Sequence, residues 1–179
     1  LARLGNKYLA DEEPWKVTVL DTGLDTLTGG RILRAKEHVQ DETFLLTYGD
    51  GLCDVDILDT IKSHNENNGL VTMTAVQPAG KFGLLEIDDT NQVLSFKEKP
   101  KTRFEVSMGI YMLSKAVMEH IPHNEPYGFD HLMLDLIKAE KNATVRPFDG
   151  YWLDIGRPDD YMIAIAEFEK NKGLFLKDA

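Results

Sequence analysis

A chain of 179 residues with 42% hydrophobic and 28% charged side chains has the makeup of a soluble globular protein, long enough to bury a substantial core as a single domain. Its formal net charge of −10, from 20 basic and 30 acidic side chains, argues against general nucleic-acid binding. An anionic ligand would have to be met by locally placed Lys or Arg, or by a metal ion.

The chain opens on Leu1 rather than Met, and Leu1-Ala2-Arg3-Leu4 reads as the beginning of a fragment or of a processed product. Val17-Thr18-Val19-Leu20 is a β-branched run that predicts a strand, followed by the turn-rich Asp21-Thr22-Gly23. Thr28-Gly29-Gly30 leads into a helix over Arg31 to Val39, with Ile32, Ala35 and Val39 on one face. Phe44 to Thr47 is the next strand. Asp56 is a good N-cap for a helix carrying Ile57, Ile61 and His64 on one side and stopped near Gly69. Val71 to Val76 is again a strand, and strand, helix, strand at this spacing is the βαβ unit of an at least partly parallel sheet.

After Pro78 come short strands at Gly83 to Ile87, Val93 to Phe96 and Gly109 to Leu113, with a turn at Asp88-Asp89-Thr90-Asn91. They read as a strand-rich insertion that returns to the main sheet. Helices over Lys115 to His120 and Phe129 to Lys141 precede a strand at Ala143 to Phe148. A final amphipathic helix starts at Pro158-Asp159-Asp160, with proline in its first turn and acids at its positive end. Its Met162, Ile165, Ala166 and Phe168 form an apolar face for the body or another subunit. The fold expected is α/β, three layers (α/β/α) around a mostly parallel mixed sheet, Rossmann-like, with residues 1–179 in one domain.

Two segments stand out for chemistry. Leu45-Leu46-Thr47-Tyr48-Gly49-Asp50-Gly51 is an apolar strand that stops at a carboxylate between two glycines, at the carboxyl edge where open α/β sheets bind ligands. About a hundred residues on, Asp154 follows a short apolar segment and precedes the turn Gly156-Arg157-Pro158. Two acids at the ends of different strands can share one Mg²⁺, which takes few carboxylates and completes its shell with water and phosphate oxygens. Each could equally cap a turn.

Thr28-Gly29-Gly30-Arg31 sets free N–H groups and a cation at a helix start, suited to an anion or to a plain connection. Lys97-Glu98-Lys99-Pro100 ends a strand with ammonium groups around a carboxylate, either a sugar-phosphate clamp or a solvated charge run. Lys81-Phe82-Gly83 is a basic residue at a flexible joint. Asp54-Val55-Asp56 is an Asp-x-Asp of the kind that holds Mn²⁺ or Mg²⁺ in glycosyltransferases, though Asp56 already serves as an N-cap.

The five histidines lack metal-ligand spacing, and Cys53, with no His beside it in sequence, reads as a packing residue. A single cysteine allows no internal disulfide and suggests a reducing cytoplasm. No run reaches the roughly 18 apolar residues of a membrane span, and none resembles a secretion signal.

Taken together these segments resemble a known family. Val17 to Gly23, Thr26 to Arg31, Thr47 to Gly51, Thr74 to Pro78 and Lys81-Phe82-Gly83 are similar to the sugar-1-phosphate nucleotidylyltransferases, the nucleotide-sugar pyrophosphorylases, particularly their glucose-1-phosphate cytidylyltransferase branch. Phe96 to Pro100, Met108 to Tyr111 and Trp152 to Pro158 resemble the wider family, including its guanylyl- and thymidylyltransferases.

The resemblance implies that a sugar 1-phosphate attacks the α-phosphorus of a nucleoside triphosphate, giving a nucleotide sugar and pyrophosphate, with Mg²⁺ as cofactor. It implies Asp50 and Asp154 as catalytic metal ligands; Thr26, Gly30, Arg31 and Gly51 as nucleotide contacts; Glu98, Lys99 and Gly109 as sugar-phosphate contacts. Partners expected are the two substrates and a further copy of the chain, with no nucleic acid and no membrane.

Three departures accompany it. The family's amino-terminal Gly-x-Gly-Thr-Arg loop does not occur, so the stretch is expected to lack its amino-terminal strand and phosphate loop and not to complete the reaction alone. Ser107 stands where the family often has Asn. The two halves of the chain point to different bases. A metal-dependent glycosyltransferase and a non-catalytic nucleotide-sugar-binding subunit are the alternatives.

Overall fold

The computed structural model describes residues 16–78, 80, 82–101, 105–123 and 126–171. Its centre is a four-stranded sheet of β1 (Thr43–Thr47), β6 (Val106–Ser114), β3 (Val71–Val76) and β7 (Ala143–Phe148), in that spatial order. β3 pairs parallel with β7, while β6 runs against both β1 and β3. Three of the four strands therefore point the same way, and the mixed, mostly parallel character expected from the sequence holds.

Side chains alternate across a strand, so the two faces of β3 meet different partners. Val71 joins Leu113 and Tyr111 of β6 in the main core, completed by Ile32 of α1 (Thr28–Arg34), by Val117 and Met118, and by Leu132 and Leu136 of α3 (Phe129–Lys138). Thr72, between Val71 and Met73, faces α2 (Ile57–Asn67) instead. The layers are thus α1 and α3, the sheet, and α2.

The α2 face is held by polar pairing. His64 is buried, with Nδ1 2.9 Å from Thr72 Oγ1 and Nε2 3.3 Å from Ser114 Oγ. Thr72 Oγ1 also lies 3.0 Å from Thr144 Oγ1, and the Ser114 hydroxyl donates to the Gly69 carbonyl at 2.9 Å. Because Ser114 spends its proton on Gly69, it accepts from Nε2–H, which leaves Nδ1 to accept from Thr72. Every group in this chain is satisfied with a neutral imidazole, and burial lowers the His64 pKa. Asp56 caps α2 as expected, accepting from Leu58 N at 2.8 Å and Asp59 N at 3.3 Å. The buried positions of the helix are Thr60 and His64, whereas Ile57, expected on that face, is 40% exposed.

Other expectations are corrected. Val17 to Leu20 is not a strand, and Val17 and Val19 are exposed, because no neighbouring strand pairs with them among the described residues. The first helix begins at Thr28 and ends at Arg34, and Lys36–His38 is a 3-10 turn. Lys115–His120 is likewise 3-10 rather than α-helical. α4 (Pro158–Lys170) buries Ala164, while Met162 and Ile165 of its expected apolar face are exposed.

The insertion after Pro78 forms a separate hairpin of β4 (Leu84–Ile87) and β5 (Val93–Lys97) before the chain re-enters the main sheet at β6. Its loop is drawn tight by Asp88 Oδ1, which accepts from Thr90 N, Thr90 Oγ1 and Gln92 N. Two further short strands, β2 (Gly51–Cys53) and β8 (Trp152–Asp154), pair antiparallel as a ribbon of their own. Residue spacing gave no sign that they pair.

Candidate active site

At the carboxyl end of β1, Tyr48 N–H donates to the Gly109 carbonyl at 3.1 Å and the Tyr48 ring lies over Gly109. A Cβ on Gly109 would come within 2.8 Å of that ring, and Gly109 has φ +77°, so glycine is needed there on both counts. The Tyr48 ring meets Tyr111 edge-on at 6.0 Å. Burial, then the Tyr111 hydroxyl and the carboxylates of Asp130 and Asp50, pushes the Tyr48 hydroxyl above its ordinary pKa and keeps it protonated.

Asp50 comes next, at the mouth of the β2–β8 ribbon. Its carbonyl accepts from Ile155 N at 2.8 Å, and in the ribbon Gly51 stands opposite Asp154. The Asp154 carboxylate accepts from Gly156 N at 2.8 Å through Oδ1. A Cβ placed on Gly156 would stand 3.0 Å from Asp154 Oδ1 and 3.3 Å from Asp50 Oδ2. Two exposed carboxylates from segments a hundred residues apart thus flank one point, and that point is free of side-chain atoms because residue 156 is glycine. The donor set is hard oxygen in an open cradle, which fits Mg²⁺ with water and phosphate in its remaining positions. Among the described residues no group of three or more His, Cys, Asp or Glu could enclose a metal by itself. From the sequence, Gly156 is read only as the start of the Gly156-Arg157-Pro158 turn; its two-residue distance from Asp154 is the signal that places it beside the gap.

The expected nucleotide residues divide. Thr26 and Gly30 line an open groove of about 800 Å³ together with Arg34, Lys36, Pro122 and Tyr127. Arg31 faces an apolar groove of about 340 Å³ on the other side of α1, beside Phe44, Leu46, Tyr48 and Phe129. Its guanidinium donates to Thr22 Oγ1 at 2.5 Å and to the Leu24 carbonyl at 3.3 Å, while Arg34 donates to Thr26 Oγ1 at 2.7 Å and to the Thr22 carbonyl. The two arginines therefore fasten residues 22–26 to α1. Gly29 and Gly30 admit close backbone approach: Gly30 N donates to the Tyr127 carbonyl at 3.0 Å, and a Cβ on Gly29 would lie 2.8 Å from that oxygen.

Glu98 and Lys99 follow β5, with Lys99 in the left-handed region at φ 42°. The chain then returns to the sheet edge, where Gly80 N donates to the Pro100 carbonyl at 2.8 Å and Lys101 Nζ reaches Asp149 Oδ1 at 3.5 Å. Asp149 directly follows β7, so this segment and the ribbon share the edge formed by the ends of β1, β3 and β7. Lys81 lies outside the described residues. Asp54 and Asp56 are committed elsewhere, since Asp54 Oδ1 accepts from Tyr151 N at 2.7 Å and Asp56 caps α2. Cys53 is half-buried against Val76, Met108 and Ile110, as a packing residue should be.

An open α/β sheet with acids, glycine turns and a basic return loop gathered at one edge is the arrangement in which α/β proteins bind ligands. Residues 5–171 match the family model of the nucleotidyl transferases, and the chain belongs to that family. It is 38% identical over 163 residues to proteins named glucose-1-phosphate cytidylyltransferase from Salmonella typhi and Salmonella typhimurium (strain LT2), with 89% of this chain and 62% of theirs covered. The chain thus spans about three fifths of the length of those curated relatives. The crystal structure of HddC from Yersinia pseudotuberculosis complexed with GMP-PN is similar, with a TM-score of 0.61, 25% identity and coverage of 84% of this chain and 65% of that one.

Proposed function

We propose that the protein is a Mg²⁺-dependent sugar-1-phosphate nucleotidylyltransferase, with residues 1–179 forming one nucleotidyltransferase domain. The observation that carries this reading is the convergence of Asp50 and Asp154 on the gap beside Gly156. A phosphate oxygen of the sugar 1-phosphate attacks the α-phosphorus of the nucleoside triphosphate, a new P–O bond forms, and pyrophosphate leaves. Bound by Asp50 and Asp154, Mg²⁺ would neutralise charge on the phosphates and polarise the α-phosphorus.

The chain's own part is alignment. Gly51, next to Asp50, presents its backbone to the nucleotide, and Thr26 and Gly30 contact it as well. Arg31 keeps residues 22–24 in place beside it. Lys99 neutralises the sugar phosphate, Glu98 accepts from sugar hydroxyls, and Gly109 makes room for Tyr48 at the floor of the site. The two Salmonella relatives make CTP and glucose 1-phosphate the first pair to try. The setting is the cytoplasm, with nucleotide-sugar supply for polysaccharide as the purpose and self-association into a homo-oligomer. The glycosyltransferase reading loses its motif, because Asp54 and Asp56 are occupied by Tyr151 and by the start of α2.

The test uses the longest polypeptide the gene encodes, in a pyrophosphate-release assay. Release is expected only with both a triphosphate and a hexose 1-phosphate, and Asp50→Ala or Asp154→Ala should lower kcat by about 10²-fold or more. Full activity in both variants defeats the proposal.

A further inference from the structure

Asp154 ends β8 in a ribbon of three residue pairs, Gly51 with Asp154, Leu52 with Leu153 and Cys53 with Trp152, and Asp50 directly precedes β2, its carbonyl accepting from Ile155 N at 2.8 Å. The ribbon is not part of the four-stranded sheet. Two strands of this length do not hold a fixed shape by themselves, so the separation of the acids depends on what ties the ribbon down. On the β1 side the tie is Tyr48, whose N–H reaches Gly109. On the β8 side it is Trp152, whose indole N–H donates to the Met108 carbonyl of β6 at 3.2 Å.

Trp152 also packs with Val76, Met108 and Ile110, alongside Cys53 and Phe148. It stands against Gly51 as well, since a Cβ on Gly51 would lie 3.7 Å from the indole nitrogen and 3.4 Å from the Met108 carbonyl. Successive side chains on a strand alternate, so Trp152 and Asp154 share one side of β8. The Tyr151 hydroxyl donates to Glu167 at 2.5 Å and ties the ribbon to α4.

We propose that Trp152 is a positioning residue of the metal site, its indole N–H anchoring β8 to Met108 so that Asp154 stays at the distance from Asp50 that one divalent cation requires. This rests on the metal-dependent reading above and adds a residue to it that touches neither metal nor substrate.

The test is Mn²⁺ binding to the full-length protein in the presence of a nucleoside triphosphate, followed by electron paramagnetic resonance. Wild type, Asp154→Ala, Trp152→Phe and Phe148→Leu are compared, with melting temperatures recorded alongside. Trp152→Phe keeps an aromatic ring but loses the donor. It should weaken Mn²⁺ binding by about tenfold, in the range seen when groups that orient metal ligands are removed, and saturating Mn²⁺ should restore most of kcat. Phe148→Leu loosens the same apolar cluster without touching the N–H and should leave Mn²⁺ affinity within about twofold of wild type.

Equal Mn²⁺ affinity in wild type and Trp152→Phe overturns the inference, as does an equal loss in Phe148→Leu or a loss of kcat that excess Mn²⁺ does not restore. Wild-type protein that binds no Mn²⁺, or an Asp154→Ala variant that binds it undiminished, overturns the metal-dependent reading instead.

Discussion

His64 sits in a chain of donors and acceptors that works in one protonation state. Thr72 gives its proton to Nδ1 and Nε2–H is given to Ser114, so a second ring proton would meet a donor rather than an acceptor. Burial lowers its folded-state pKa below the ordinary histidine value near 6.5, and the unfolded chain binds more protons in between. The stability that the neutral ring contributes is present above about pH 6.5 and is lost as pH falls through the lowered folded-state value. Urea titrations at pH 7.5 and 5.5 should show the midpoint falling on acidification, and a His64→Gln variant should flatten that dependence.

At Gly109 two constraints coincide, a positive φ and the overlying Tyr48 ring. Gly109→Ala should cost about 1–3 kcal/mol in denaturant unfolding, because the backbone strain and the displaced ring add.

Elements were legible where their signal is local. The start of α2 was readable from Asp56 alone, since a side-chain oxygen that satisfies free N–H groups acts through its immediate neighbours. Asp56→Ala should cost about 1 kcal/mol, measured by the shift in chemical denaturation midpoint. The β4–β5 hairpin was readable from two short strand runs and the Asp88 turn between them, but its packing was not. Leu84, Leu85, Ile87, Val93, Leu94 and Phe96 are all more than half exposed, so their apolar character reports strand propensity rather than burial. Leu85→Ser should change the stability of the chain by no more than about 0.5 kcal/mol, in contrast to Leu132→Ala in the core, which should cost about 2–5 kcal/mol. Val17 to Leu20 failed as a strand for the complementary reason: a β-branched run needs a paired neighbour, and local sequence does not supply one.

For the whole molecule, the sheet order places β6 between β1 and β3, so the carboxyl ends of β1, β3 and β7 and the amino end of β6 form one edge. Asp50, the Pro100–Lys101 return and Asp149 lie at that edge, whereas Thr26 and Gly30 line a separate groove against Pro122 and Tyr127. The family was legible because its motifs are short runs with fixed neighbours, and the types of side chain needed for phosphate and metal chemistry can be read one by one.

Their spatial relations were not legible. That Thr26 and Gly30 share a groove while Arg31 faces another follows from the turn of α1 against residues 126–128, which periodicity does not encode. That Asp50 and Asp154 flank one gap follows from a three-pair ribbon closed across a hundred residues and fastened to the sheet through Trp152. The sequence by itself determined the strands of the main sheet, the capped helix and the family, because those depend on side-chain chemistry and near neighbours. Only the tertiary structure decided which of these groups meet, because strand pairing between distant segments depends on the packing of the whole sheet rather than on either segment alone.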